Sequence, residues 1–422
     1  MSARERIAVI GAGAAGLTSA YLLQQRFDVT LFERDERLGG HVNTVPIPDG
    51  SDAGTPVDTG FIVFNERNYP NFCRLLDRLG VAWRESDMSF SYTSEISGLQ
   101  YAGTGADGLF AQRANLVSPR FWRLLAAIML FCRRGRQALK GKTLGNATLG
   151  DFLDECAFSD VLAADYVIPM AASIWSASRT DIRDFPAAAI LHFFDNHGLL
   201  DVRDRITWRT VEGGSKTYVD ALLGSFSGEV VTGARIAAVQ RGVAGPTLQM
   251  EDGHTDRFDH VVLATHADQA LALLEDPCND ETSLLGAWRY SRSLAVLHTD
   301  TALLPSNSRA WASWNYRRTT ATGDAEPVHL SYHMNQLQGL ATEREYIVTL
   351  NPPVDISPAK VIGSYNYTHP CYDHRSMATQ GPLQALSGSR NTYYCGAYLG
   401  YGFHEDAVRS AVDVAAKFGV TL

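Results

Sequence analysis

Residues 7–33 decide the fold: Ile7-Ala-Val-Ile10, then Gly11-Ala-Gly-Ala-Ala-Gly16, a helical stretch to about Arg26, and Asp28-Val-Thr-Leu-Phe-Glu33. A short apolar run of this kind is buried in a parallel sheet. The order strand, glycine turn, helix, strand, with an acid about 20 residues after the turn, is the full dinucleotide fingerprint. Gly11 permits the tight turn, Gly13 lets backbone approach a pyrophosphate, and Gly16 lets the helix pack on the sheet. Ala14 and Ala15 complete the turn, and the helix N-terminus offers free N–H groups and the positive end of its dipole. Glu33, with Arg34 after it, is placed to meet an adenosine ribose.

Two further motifs select FAD over a nicotinamide dinucleotide. Glu36-Arg-Leu-Gly-Gly-His41 places a second glycine pair where backbone passes an extended pyrophosphate and ribityl chain. Cys395-Gly-Ala-Tyr-Leu-Gly-Tyr-Gly-Phe-His-Glu405 precedes a final helix, whose N-terminus would stabilise the negative charge of reduced flavin at the N1–C2=O edge. There is no second GxGxxG, so no dedicated NAD(P)H site is expected.

Outward from these ends, Asp58-Thr-Gly-Phe-Ile-Val-Phe64 reads as strand-like and residues 105–200 as mostly helical, punctuated by Pro119, Pro169 and Pro186. Val211-Glu-Gly-Gly-Ser215 reads as a turn before a helix, and 229–231 with 234–240 as the strands of a hairpin. Residues 259–264 form another buried strand. Strand-like stretches follow at 293–298, 328–333 and 346–350, then a strand at 392–395 and a last helix from about Glu405. The expected fold class is α/β: a discontinuous Rossmann-type FAD-binding domain with an inserted α+β substrate-binding domain. FAD-binding parts are expected at 1–80, 205–280 and 385–422, a mostly helical cap at 81–204 and a substrate sheet at 281–384.

Two domains are the natural prior for 422 residues. Hydrophobic residues make up 45% and net charge is −9, which argues against a nucleic-acid partner. Six scattered cysteines without a CxxC pair read as reduced thiols of a cytoplasmic protein. No signal peptide is read at the N-terminus, and no metal site is expected from the histidines.

The motifs resemble the amine-oxidase-like flavoprotein superfamily, which includes monoamine oxidases, phytoene desaturases and protoporphyrinogen oxidase. Within it they are most similar to a branch of bacterial flavoproteins and to the N-terminal oxidase-like domain of plant cyclopropane fatty-acid synthases. The shared features run nearly end to end: Leu38-Gly-Gly-His41, Asp58 through Asn65, Tyr69-Pro-Asn71, Asp87-Met-Ser-Phe90, Ala172-Ser-Ile-Trp175, Trp311-Ala-Ser-Trp-Asn315, Thr349-Leu-Asn-Pro352 and Tyr398 through Asp406. The resemblance implies that Gly39, Gly40 and His41 line the pyrophosphate and ribityl chain. It implies that Thr59, Gly60 and Phe61 pass near the isoalloxazine, that Ile236 lies in the strand meeting adenine, and that Gly396 and Phe403 flank the flavin ring. Ala397, Gly402 and His404 complete the expected cofactor set. Many relatives carry an acid where this chain has Ala397, and a tyrosine of the amine cage where it has Phe403. Many also place a lysine near flavin N5, and this chain has none between Lys216 and Lys360.

A flavin performs the redox chemistry, and the protein supplies orientation and electrostatics. The polar candidates in the C-terminal loop are Tyr401, His404 and Glu405, with the competing reading that Glu405 is an acid favoured by the helix dipole. His298, Tyr332, His333, Tyr365, His369, Trp311 and Trp314 belong to the segment expected to cover the flavin, as wall or core, and Cys371 is weighed as a covalent flavin link. The expected function is an FAD-dependent oxidoreductase that desaturates or dehydrogenates an apolar, lipid- or polyene-like substrate. The alternatives are an amine oxidase, a double-bond isomerase, and a flavin-bound accessory to a lipid-modifying methyltransferase. Residues 119–142 alternate apolar side chains with Arg120, Arg123, Arg133, Arg134, Arg136, Lys140 and Lys142 and contain no acid. That pattern suits either a buried helix with solvated ends or a peripheral membrane contact.

Overall fold

Five short apolar strands from three distant parts of the chain make one parallel sheet, in the order Glu229–Val231, Asp28–Phe32, Arg6–Ile10, His260–Leu263, Thr392–Tyr394. Ile7, Ala8, Val9, Leu31, Val261, Val262 and Leu263 are fully buried. A sheet covered on both faces needs apolar side chains on both. The structure, a computed structural model, describes residues 4–201, 206–320, 323 and 328–422.

The first helix, Ala14–Leu23, and the last, His404–Lys417, pack against each other beside this sheet. Both helices carry buried small residues, among them Ala15, Gly16, Ala407, Ala411 and Ala415, and two backbones separated by almost the whole sequence lie close together.

A seven-stranded mixed sheet forms the second body, with Arg289–His298, Trp314–Arg318, Leu330–His333, Ile347–Leu350 and Val361–Cys371 at its centre and one edge. Its other edge is Phe90–Ser94 and Gln100–Ala102, which join through a parallel pairing with Trp314–Arg318. The expected helical cap therefore begins with strands. Helices follow from Ala106 to Asn196, including Pro119–Gly141, Ile168–Trp175 and Ala187–Asn196. Pro119 sits at the start of its helix, where its missing N–H costs nothing, and Ser118 Oγ accepts from Phe121 N at 3.3 Å. The expected boundary between 204 and 205 lies outside the described residues.

Two local expectations are corrected. Glu229–Val231 and Ile236–Gly242 are not a hairpin: the first pairs in parallel with Asp28–Phe32, and the second is antiparallel to Gly245–Met250 in a separate three-stranded sheet. Between them the chain turns away because Ala234 N donates to Glu33 O at 2.8 Å and Gly233 N to Asp35 O at 3.3 Å. Residues 58–64 are also not one strand. Pro56–Asp58 and Val63–Phe64 are strands of different sheets, and the link is drawn aside by Thr59 N to Asn43 O (2.9 Å) and Phe61 N to His41 O (2.8 Å).

A β-carbon on Gly16 would lie 1.7 Å from Gly11 O, whereas one on Gly13 would meet nothing within 4 Å. Gly16→Ala is therefore expected to cost about 2–3 kcal/mol in urea denaturation. Gly13→Ala is expected to leave the stability of the flavin-free chain unchanged and to lower the flavin content of the purified protein.

Candidate functional site

The turn at Gly11–Gly16 opens the first helix with Gly13 as its cap residue, no side-chain cap and no acid in the first turn. Its first N–H groups are thus left for an anion. Ala14 and Ala15 are buried in that turn. Glu33 Oε2 accepts from Ala12 N at 2.7 Å and Oε1 from Asp35 N at 3.1 Å, which fixes the carboxylate at the strand end beside the turn. Arg34 is exposed and sits 3.7 Å from Asp35. Ile236 starts the separate three-stranded sheet, just past the backbone that bonds Glu33.

The second glycine turn lies against the first. Gly39 N donates to Ala12 O at 2.8 Å, and a β-carbon on Gly40 (φ +59°) would approach Gly13 Cα to 3.1 Å. Arg37, within the quoted motif but given no role from sequence, holds this turn by donating to Val42 O (2.6 Å) and Gly40 O (2.7 Å). The third segment is zipped onto it: a β-carbon on Gly60 would fall 2.1 Å from His41 O. The Thr59 hydroxyl is consumed by Asn43 and by Tyr367 Oη at 2.8 Å, so Thr59 positions Tyr367.

Tyr367 and His369 project from the same face of the edge strand Val361–Cys371 and close over His41. His41 stacks on Tyr367 (centroids 5.1 Å, 29°), meets His369 at 5.2 Å, and lies 6.5 Å from His266, which itself stacks on Tyr290 at 4.4 Å. Burial lowers His41 and His266 to about 4 and His369 to about 3, so all three rings are neutral at pH 7. His41 Nε2 and His369 Nδ1 are buried with no protein partner. Buried ring nitrogens of this kind are met by ligand or water.

The C-terminal loop reaches the same place. Phe61 stacks face to face on His404 (3.7 Å, 11°), and His404 Nε2 shares a 2.7 Å hydrogen bond with Tyr218 Oη. Tyr218, on the helix Lys216–Gly224 after the Gly213-Gly214 turn, carried no sequence signal for this contact. Burial lowers His404 to about 3. Its ring is neutral at pH 7, packed on Phe61 and hydrogen-bonded to Tyr218. Glu405 accepts from Asn71 N (3.1 Å), Asn71 Nδ2 (2.6 Å) and Phe72 N (2.9 Å), so it caps the helix Pro70–Leu79. Asp406, to which sequence assigned nothing, shapes the loop by accepting from Tyr401 N (2.9 Å) and Phe403 N (3.0 Å) and pairing with Arg409 (2.9 Å). Gly396 N donates to Ser410 Oγ at 2.9 Å, and Ala397 O accepts from Gly402 N at 3.2 Å.

Tyr401 is half-buried, and its backbone carbonyl accepts from Trp175 Nε1 at 3.1 Å. Phe403 packs on the cap helices, stacking on Phe193 (4.7 Å, 22°) and meeting Trp175 at 5.9 Å. The other aromatic and imidazole candidates serve the sheet. His298 Nε2 shares a 2.8 Å bond with Thr349 Oγ1, His333 pairs with Glu345 at 2.5 Å, and Trp311 Nε1 donates to Pro305 O at 2.7 Å. Tyr332 and Trp314 pack edge to face at 5.0 Å. Tyr365 and Cys371 are half-buried on the edge strand. A cleft of about 240 Å³ is lined by none of these residues; it lies between Ser97–Leu99 and the start of the helix Pro119–Gly141.

Two glycine turns back to back, an acid at the next strand end, a helix directed from the C-terminal loop and buried orphan imidazoles together fit an extended dinucleotide with a flavin ring. The fold and site define a dinucleotide-binding flavoprotein. The sequence model of flavin-containing amine oxidoreductases matches residues 14–311, and the chain belongs to that family. It is similar to a flavin-dependent L-tryptophan oxidase of Lentzea aerocolonigenes, 24% identical over 61% of this chain and 57% of the oxidase. It is also similar to a coproporphyrinogen III oxidase of Mycobacterium tuberculosis, 27% identical over 68% of this chain and 65% of that protein. The chain thus spans less than two thirds of either relative. Among solved structures, a fatty acid isomerase from P. acnes that produces CLA superposes with a TM-score of 0.70 at 18% identity, covering 99% of each chain. A putrescine oxidase gives 0.68 at 14%, covering 98% of each. The chain is a flavoprotein of this family, and FAD is the dinucleotide its two turns fit.

The neutral histidines set a pH dependence. His41, His197, His266, His298, His369 and His404 titrate at about 3 to 4 when folded, against 6.5 when free. Between those values the unfolded chain binds protons that the folded chain does not. The stability they contribute is complete above pH 6.5 and is lost as pH falls toward 4. Urea midpoints are expected to drop steeply between pH 6.5 and 5 with the m-value unchanged; a flat profile would refute neutral burial.

Glu405→Gln should lose about 1–2 kcal/mol through the weakened cap while reduction per bound flavin stays within about twofold. A large loss of reduction with normal stability would instead mark Glu405 as a proton carrier.

Proposed function

We propose that this oxidoreductase dehydrogenates an apolar, lipid-like substrate held between the cap helices and the C-terminal loop. The observation that carries this reading is the layer around Phe403. Trp175 meets Phe185 at 4.8 Å and Phe193 at 4.9 Å, Phe193 stacks on His197 at 3.7 Å, and Phe185 meets Tyr372 at 5.5 Å. Nothing in this layer carries charge at neutral pH: His197 is lowered to about 4 and Tyr372 raised far above its usual value, both by burial. The two acids of the adjoining loop are committed, Glu405 to a helix cap and Asp406 to the loop backbone. An ammonium group would find no free carboxylate among these residues, whereas alkyl or polyene carbon would meet ring faces.

FAD held by the two glycine turns would supply the hydride-acceptor chemistry. The chain's own part is to exclude water with the aromatic layer and to hold the substrate carbon by packing. Tyr401, half-buried in the loop, is available to orient a substrate headgroup. A second reading uses the same layer. The chain shares its whole fold with a fatty acid isomerase, and a double bond moved by flavin without net oxidation needs the same apolar surroundings.

Anaerobic mixing of the yellow protein with fractionated lipids, and separately with amines, separates these readings through the oxidised-flavin absorbance. Bleaching by a lipid fraction is expected. Product formation without bleaching would favour the isomerase, bleaching by amines alone would overturn the apolar reading, and no reaction with either would favour a flavin-bound accessory to another enzyme. Phe193→Ala is expected to raise KM for the active fraction about tenfold with flavin content unchanged.

A further inference from the structure

Nine large hydrophobic side chains are exposed among the described residues, and six of them share one region: Ile96, Leu116, Val117, Trp122, Met129 and Leu130. The turn carrying Ile96 is tied to the segment carrying Leu116 and Val117 by Gln112 Nε2 donating to Gly98 O at 2.8 Å. The cleft of about 240 Å³ lies between them, lined by Arg120, Gln112 and Asn115 together with Phe121, Leu124 and Val161. Scattered single apolar residues need no explanation, but a contiguous cluster does.

The helix Pro119–Gly141 continues the region. It buries Phe121, Leu124, Phe131, Cys132, Gly135 and Ala138. Its exposed face, at helical spacing, is Trp122, Ala126, Met129 and Leu130, then Arg133, Arg134, Gln137 and Lys140. The face is mainly apolar at one end, where Arg123 is also exposed, and basic at the other, over about 27 Å. Folding explains neither half. Val117 is 84% exposed and Met129 53%, while Arg133, Arg134, Lys140 and Lys142 have no ion-pair partner among the described residues. From Arg113 to Lys142 there are eight basic residues and no acid, in a chain of net charge −9. Trp122 Nε1 donates to Leu116 O at 2.9 Å, so the exposed indole carries no unmet donor and enters an apolar medium without leaving one.

We infer that this face docks on an anionic bilayer. The apolar knob of Ile96, Leu116, Val117, Trp122 and Met129 enters the headgroup–acyl boundary, and Arg133, Arg134 and Lys140 lie over acidic headgroups. Charge complementarity selects anionic lipid, and a bilayer accepts a convex apolar knob without a matching groove. The inference stands independently of the flavin reaction.

The test uses flavin-loaded protein and sedimentation with vesicles of phosphatidylcholine, alone or with phosphatidylglycerol. Binding is expected to the mixed vesicles and to fall as salt rises. It should weaken about a hundredfold in Arg133→Ser/Arg134→Ser/Lys140→Ser, and Trp122→Ser/Met129→Ser should abolish it. No binding by wild type, or equal binding by all forms, would overturn the inference. So would an oligomer dissociated by Trp122→Ser/Met129→Ser without vesicle binding, which would mark a protein interface. Trp122→Phe keeps the face apolar and guards against misfolding: brominated lipid should quench wild-type tryptophan fluorescence more than that of this variant, and equal quenching would count against insertion.

Discussion

A β-carbon on Gly16 would lie 1.7 Å from Gly11 O, and one on Gly60 would lie 2.1 Å from His41 O. Backbone meets backbone at both places, and only glycine permits it. The first contact seats the opening helix on the parallel sheet; the second pins the Thr59–Phe61 link beside the turn that carries His41. Between them, Gly39 N bonded to Ala12 O joins the two turns. The rest of the cofactor site hangs from these approaches. Phe61 is held where it can stack on His404, and that stack brings the loop of the last strand and helix to the residues that began the chain.

Three consecutive residues at the start of the last helix then do three different things. His404 faces Phe61 and Tyr218 as a neutral ring, Glu405 turns to the helix Pro70–Leu79, and Asp406 folds back on its own loop. Successive helical residues point about 100° apart, so adjacent groups reach different neighbours. The outcome is electrostatic. Both acids are consumed by backbone N–H groups, which keeps negative charge organised at the helix N-terminus and leaves the Phe403 layer uncharged.

Much of this was legible in the sequence where function is carried by backbone. The glycine pattern at 11–16, the pair at 39–40, Glu33 and the terminal loop all announce local geometry, because their residue types are chosen for turns and close approach. Side-chain partners across the fold announce nothing. Tyr218 looks like any helical tyrosine until His404 arrives, and nothing in the sequence pairs Glu405 with Asn71. The strand errors have the same origin. Glu229–Val231 reads as half of a hairpin because its true partner, Asp28–Phe32, lies about 200 residues earlier. Phe90–Ser94 and Gln100–Ala102 join a sheet whose other strands begin at Arg289.

Charge shows where the fold stops explaining the sequence. Arg241 is buried against Glu281, which also accepts from Tyr394 Oη at 2.6 Å and ties the three-stranded sheet to the C-terminal strand. Asp165, buried under the seven-stranded sheet, accepts from Tyr92 Oη at 2.7 Å and faces Arg120 and Arg318. Charges inside the body are thus paired or hydrogen-bonded, as burial requires. Arg133, Arg134 and Lys140 are under no such requirement. Water solvates them, they hold nothing together, and substituting them would leave the helix Pro119–Gly141 seated by Phe121, Leu124 and Phe131. An exposed cation costs little wherever it is placed, so stability alone does not concentrate such cations beside an exposed Trp122 and Met129. That arrangement belongs to what the helix meets outside the protein.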